Sequence, residues 1–385
     1  MTAQPGGVVV TGRPARLDAA ALVRDPDTRV VVTCGSGGVG KTTTAAAMAL
    51  LGAQAGRRTV VLTIDPARRL AQSMGLAELD NTPRAVQGVD NLFAMMLDMK
   101  RTFDDVVLEH STPERAEQIF ANPFYQTLSS SFAGTQEYMA MEKLGQLVKA
   151  DEWDLIVVDT PPSRSALDFL DAPNRLGRFL DGRMIRLLTG PAKVGGKAYF
   201  KVVTASLTLV ARAFTKVIGS ELLSDLSSFV TALESMFGGF RERAEQTYQL
   251  LSQPGTAFVV VAAPEPDALR EASYFVERLA GEGMPLAGVV VNRTRITEGA
   301  APLTAAEAGV AAAKLTGSAA STALARAALL VHAEVAGAAE HDARMTRRFT
   351  AAHPQVPLVP VPALPGDVHD LDGLRHIGAL LGAPA

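Results

Sequence analysis

Seven short apolar runs punctuate the chain: Val30 to Thr33, Thr59 to Ile64, Leu92 to Leu97, Leu155 to Val158, Ala257 to Ala262, Gly288 to Val291 and Val356 to Val361. They are nearly continuous in apolar character rather than alternating, which is the pattern of strands buried on both faces, and most are separated by segments that read as helices. This pattern predicts an α/β fold, with a mostly parallel sheet covered by helices on both faces. One stretch breaks the rhythm. Between Asp159 and Ala257 lie nearly a hundred residues, far more than the dozen that a crossover needs. Within them Val203, Leu207, Val210, Phe214 and Val217 make one apolar helical face, and Leu222, Leu226, Phe229, Leu233, Met236 and Phe240 make another. Exposing the second set would forfeit roughly 10 kcal/mol, so an inserted, covered helical lobe is predicted. Its cover is either its own packing on itself and on Phe103 to Leu147, or an apolar partner seated in a groove. The chain therefore reads as a flexible lead-in over residues 1–28 and one α/β domain over 29–385, with helical insertions at about 100–150 and 165–252.

The chemistry lies in the residues just after each run. The first run feeds Gly35-Ser36-Gly37-Gly38-Val39-Gly40-Lys41-Thr42-Thr43, and Thr42 to Leu51 then reads as a helix. Glycines at this spacing let successive backbone N–H groups turn inward on an anion, and the helix N-terminus adds partial positive charge. Lys41 is placed to reach the β- and γ-phosphates of ATP, and the Thr42 hydroxyl to sit on Mg²⁺. The plainer alternative is a turn that merely joins strand to helix. Asp65-Pro66-Ala67, Asp159-Thr160-Pro161-Pro162, Pro264-Glu265, Asn292-Arg293 and Pro362-Ala363-Leu364-Pro365 come after later runs, so they converge on the carboxyl edge of the sheet, where open α/β folds bind ligands. Asp159 is a candidate Mg²⁺ ligand through water, and Asp65 a candidate for orienting the attacking water beside the metal. Either aspartate is alternatively a helix cap. Asn292 either offers its amide to an adenine edge or is a turn residue.

Composition narrows the partners. A net charge of −3 over 385 residues supplies no basic surplus for nucleic acid. The single cysteine, Cys34, rules out an internal disulfide, and the opening residues lack a charged-then-apolar signal, so a cytoplasmic location is expected. Val202 to Ala211, an uncharged apolar-leaning run bounded by Lys201 and Arg212, is far short of the ~20 residues of a membrane span, and no transmembrane segment is expected. Ala300 to Ala339 is rich in alanine and reads as surface helix; Leu371 to Leu381 is a short amphipathic end that docks on the sheet.

The phosphate-loop segment, with Asp65-Pro66-Ala67 and Asp159-Thr160-Pro161-Pro162-Ser163, resembles the deviant-Walker P-loop ATPases of the arsenite-pump and tail-anchored-protein-targeting family. Ala133-Gly134-Thr135-Gln136-Glu137-Tyr138, Ala166-Leu167-Asp168-Phe169-Leu170-Asp171-Ala172-Pro173, Val289-Val290-Val291-Asn292 and Pro362 to Pro365 look like its bacterial branch. The resemblance implies an ATP-hydrolysing switch in which Asp65 is catalytic and lies in switch I, Asp159 opens switch II, and Glu265, Asn292, Pro362 and Pro365 border the nucleotide. It also implies a dimer with a helical lobe for an apolar protein or peptide client. Three positions depart from the family. Its loop usually carries a lysine, reaching the partner's ATP, where Ser36 stands here, which favours a heterodimer with a lysine-bearing paralogue over a homodimer. One cysteine per chain cannot build the family's zinc or arsenite thiolate sites, so no zinc is expected. Arg164-Ser165 replaces the Gly-His or similar pair common in switch II. Two other readings stay open: a nucleotide-binding subunit that leaves hydrolysis to a partner, and a partition or positioning ATPase, which the long insertion disfavours.

Overall fold

The computed structural model describes residues 15–65, 69–123, 125–126, 135–161, 242–297, 303–317 and 319–382. Among them lie the strands β1 (Val30–Cys34), β2 (Thr59–Thr63), β3 (Arg84–Ala85), β4 (Leu92–Met96), β5 (Leu155–Asp159), β6 (Thr256–Ala262), β7 (Leu286–Thr294) and β8 (Leu358–Pro362). They form one sheet in the order β3-β4-β2-β5-β1-β6-β7-β8. Every neighbouring pair is parallel except β3 with β4 at the edge. Each predicted run is a strand; β3 is an addition, two exposed residues with no apolar run to announce them.

The helices are α1 (Ala19–Arg24), α2 (Lys41–Gln54), α3 (Arg69–Ser73), α4 (Met99–His110), α5 (Pro113–Ala121), α6 (Thr135–Lys149), α7 (Pro266–Gly281), α8 (Ala305–Lys314), α9 (Ala320–Ala352) and α10 (Leu371–Gly382), with a further helical stretch over 242–252. Successive strand side chains point to opposite faces, so each strand feeds two cores. Val30, Val32 and Cys34 join a layer with Phe103 and Val106 of α4, Leu144 of α6 and Phe275 of α7. Val31 joins the opposite layer with Met48 and Leu50 of α2 and Leu374 and Ile377 of α10. This sandwich buries β1 on both sides, which explains its unbroken β-branched sequence.

Residues 15–28 of the lead-in pack on the α/β domain. Leu17, Ala19, Ala20 and Val23 are buried, and backbone bonds join Leu17 to Leu358 and Leu358 to Ala15. The Arg57 guanidinium secures this arm, donating to the carbonyls of Val23, Asp25, Thr28 and Asp154. One side chain thus satisfies acceptors from α1, the approach to β1 and the approach to β5, a pairing of distant segments that local composition does not encode. Helices α4, α5 and α6 occupy the first predicted insertion. Most of the second, with the apolar faces from Val203 to Phe240, lies outside the described residues.

The described residues of the alanine-rich region are mostly helical and exposed, as expected: α8 opens with a capping box between Thr304 and Glu307, and Leu324, Leu330, Val331 and Val335 of α9 face out. By length and composition alone α9 is able to cross a membrane, with 33 residues, a mean hydropathy of 1.2 and 6% of its apolar window buried. Isolated charges such as Arg326 and Glu334 interrupt that window, which is why no apolar run marks it in the sequence. The C-terminal part of α9 is fixed to the sheet by Arg295, which grips buried Asp342 through Nε (2.9 Å), Nη2 (2.6 Å) and its backbone N–H (2.8 Å), and by Met345 and Phe349 in the core.

Candidate functional site

At the carboxyl end of β1 the chain enters the glycine loop. Gly35 has φ +148°, and a Cβ there would lie 2.1 Å from the Val261 carbonyl oxygen of the adjacent strand, so no side chain fits. Gly40 has φ +95° and caps α2; a Cβ would meet the Asn292 amide nitrogen at 2.2 Å. Gly37 and Gly38 are exposed, leaving the loop's outer rim open. Two ends of this loop are tied together by Lys41, whose Nζ donates to the Ser36 carbonyl at 2.7 Å. Burial depresses the Lys41 pKa, with Asp159 opposing the shift.

Behind the loop Asp159 closes β5 and is fully buried. Its Oδ2 accepts from the hydroxyl of Thr42 (2.8 Å), in the first turn of α2, and from that of Thr63 (2.9 Å), at the end of β2. The Thr63 oxygen also accepts from the backbone N–H of Asp65 at 3.2 Å. Four residues, from α2, β5, β2 and the segment just after β2, thus form one hydrogen-bonded string: Thr42, Asp159, Thr63, Asp65. The other carboxylate oxygen of Asp159, Oδ1, is buried without a protein partner. An orphaned anionic oxygen behind a threonine hydroxyl fits a hydrated divalent cation, the hard-oxygen environment that Mg²⁺ takes.

The same burial pushes the Asp159 carboxyl up from 3.8 to about 6, against the lowering effect of the two threonine bonds and Lys41. A carboxyl whose folded pKa exceeds its unfolded one opposes folding above both values, and that cost fades as pH falls from about 6 towards 4. Asp159→Asn, without metal or nucleotide, should therefore melt at a higher temperature than the parent at pH 7.5, with the gap narrowing by pH 4.5 in paired thermal scans. A gap of constant size would show that the charge is not what is costly there.

The remaining sequence candidates share this edge. Asn292, in β7, donates from Nδ2 to the Val39 carbonyl at 2.9 Å, so it grips the loop itself, whatever else its second N–H and Oδ1 meet. The loop from Pro362 to Pro365 is fastened to the end of β7 by the Ala363 N–H on the Thr294 carbonyl, 2.9 Å. Glu265 is the exposed N-cap residue of α7 on the same edge. Thr43 is half-buried in the first turn of α2. Pro66 to Arg68 and the switch II residues from Pro162 onward lie outside the described residues.

Two residues of the site are not legible in the sequence. Thr63 reads as one more β-branched strand former, and nothing local marks its hydroxyl as the bridge between two aspartates. Gln136, in the first turn of α6, donates from Nε2 to the Ile64 carbonyl at 2.9 Å, next to Asp65. The segment Ala133 to Tyr138 is distinctive in the sequence, but the link from Gln136 to Ile64 spans 72 residues.

The profile of the anion-transporting ATPase family matches residues 28–306. Among curated proteins, the ATPase ASNA1 homolog 2 of Paramecium tetraurelia is 25% identical over 276 residues, 71% of this chain and 78% of the relative. The ATPase GET3 of Podospora anserina is 27% identical over 266 residues, 69% and 73%. The ATPase ARSA2 of Chlamydomonas reinhardtii is 29% identical over 275 residues, 71% and 69%.

Proposed function

Because the chain belongs to the anion-transporting ATPase family and is an ATPase, we propose that it works as a nucleotide-driven switch, hydrolysing Mg²⁺-ATP at a dimer interface to move a helical lobe that holds an apolar protein or peptide client. The observation that carries this reading is the string Thr42–Asp159–Thr63–Asp65, which couples the phosphate loop to the position of the proposed catalytic carboxylate. Loop N–H groups and Lys41 hold the β- and γ-phosphates. Asp65 orients water for in-line attack on the γ-phosphorus; the new P–O bond forms as the bond to the β-phosphate oxygen breaks, leaving ADP and phosphate. Thr42 and Asp159, whose Oδ1 has no protein partner, would hold hydrated Mg²⁺, which would supply neutralisation of the charge developing on the phosphate oxygens. Glu265, Asn292, Pro362 and Pro365 border the nucleoside. The direct test is Mg²⁺-dependent phosphate release from ATP by the purified chain.

Ser36 sets the assembly. Its hydroxyl is neutral and too short to reach across an interface, so either Arg68, Arg69 or Arg164 crosses over instead, or a second subunit carries the missing lysine and points it at the ATP held here. We favour the second subunit, a paralogue with lysine at this position, because it needs only a family-like interface. Ser36 also favours one alternative, a nucleotide-binding subunit without its own turnover, which the same assay separates by binding without hydrolysis. The insertion between β5 and β6 argues against a partition or positioning ATPase.

Zinc has no place in this reading, since the one thiol, Cys34, is buried and pushed up to about 12 by loss of solvent, far from the thiolate a metal requires. A cytoplasmic location and the single domain over 29–385 belong to the same proposal. Kinship with the family's bacterial branch rests on the sequence segments alone, the relatives compared being eukaryotic.

A further inference from the structure

We propose that Gln136 aims the Asp65 carboxylate, as a positioning residue that fixes the peptide plane from which Asp65 projects without touching the nucleotide, a role that rests on Asp65 orienting the attacking water. Sheet pairing fails at this plane. The Ile64 N–H donates to the Asp159 carbonyl at 3.0 Å, one step beyond the pairing of Thr63 with Asp159. In a parallel ladder the donor that returns to the Ile64 carbonyl is then residue 161, and it is Pro161, which has no N–H. Gln136 supplies the donor instead, Nε2 to the Ile64 carbonyl at 2.9 Å. The other end of the same peptide unit is also held, since the N–H of Asp65 donates to the Thr63 hydroxyl at 3.2 Å. A peptide unit turns as a plane, so bonds at both ends fix ψ of Ile64 and φ of Asp65, the two angles that decide where the Asp65 side chain leaves the chain.

Gln136 is built to hold rather than to follow. It stands in the first turn of α6, whose Met139, Met141 and Leu144 are buried in the core. One turn further on, Arg243 Nε meets both carboxylate oxygens of buried Glu142 at 3.0 Å. The helix cannot rotate without breaking these contacts, so the Gln136 amide is a fixed point. Asp65, by contrast, is half-buried just past the end of β2, where the ladder has run out. A group that holds water in line for attack tolerates little misplacement, and an error of about 1 Å in such geometry costs on the order of 10²-fold in rate.

Single-turnover hydrolysis and ATP titration on the full-length protein test this role. Gln136→Ala should slow hydrolysis at saturating ATP by about 10- to 100-fold and keep the Kd for ATP within about twofold. Gln136→Glu has the same length but offers no donor at neutral pH and should lose as much, whereas Gln136→His, whose Nε2–H extends about as far, should recover part of the rate. The deciding measurement is made in Asp65→Asn, where no carboxylate is left to aim: adding Gln136→Ala there should slow the reaction by less than about twofold. A further loss of about tenfold or more in that background, or a matching loss of ATP affinity in the single variant, would mean that Gln136 only braces the fold and would overturn the proposal; so would a Gln136→Ala protein as fast as the parent. If the alanine variant does not fold, equal rates for Gln136→Glu and Gln136→His overturn it instead. A parent that binds ATP without hydrolysing it, or an Asp65→Asn protein as fast as the parent, refutes the role of Asp65 first, and the role of Gln136 falls with it.

Discussion

Replacing Asp65 by asparagine should cut ATP turnover by on the order of 10³-fold while ATP affinity stays within about threefold of the parent. The substitution preserves size and leaves the backbone N–H of residue 65 on the Thr63 hydroxyl, so the string to Asp159 and Thr42 survives. What is lost is a carboxylate able to orient a water, an interaction made only as the reaction proceeds, and losses of that kind appear in kcat rather than in binding. Lys41→Ala should show the opposite division. Lys41 is buried at the loop, and in the proposed function it holds the phosphates, so its removal should abolish measurable ATP binding. Single-turnover hydrolysis and a nucleotide titration on the same preparations decide the matter; undiminished turnover in Asp65→Asn would exclude Asp65 from the chemistry.

Ser36→Lys should raise the turnover of the isolated chain by about 10²-fold or more, because a positive group supplied across an interface is worth roughly 10³ to 10⁵ in phosphoryl transfer and an engineered one recovers part of that. The loop tolerates the change in its present geometry. Ser36 is half-buried on the open side, and it is the backbone carbonyl, not the hydroxyl, that Lys41 uses. The parent alone should be slow, and mixing it with a lysine-bearing paralogue should restore the rate without mutation. If the parent is already fast by itself and Arg69→Ala, at the exposed start of α3, abolishes that rate, the arginine supplies the charge and the heterodimer proposal falls.

The sheet is legible in the sequence because its signal is local: β1, β2, β5, β6 and β7 are runs of β-branched and other apolar residues that nothing but a doubly covered strand explains. The glycine loop is legible because Gly35 and Gly40 are dictated by clashes with Val261 and Asn292 that any side chain would create. The illegible features depend on partners far away in the chain. Thr63 becomes part of the site only through Asp159, and Gln136 only through Ile64. The docking of Ala15 to Thr28 likewise depends on Arg57, which spacing within the lead-in cannot reveal.

The central place of β1 has a consequence for synthesis. Its two neighbours are distant in sequence, since Val30 pairs with Ile156 on one side and Thr256 on the other. At a ribosomal pace of ~5–20 residues per second, the strand bearing the phosphate loop emerges roughly 10 to 45 s before its second neighbour exists. Through that interval Val30, Val31 and Val32 present an apolar ribbon with an unpaired edge, the kind of segment that joins other chains when it waits too long. The glycine loop is therefore made long before the sheet that holds it is complete, and the nascent chain needs shielding until β6 arrives.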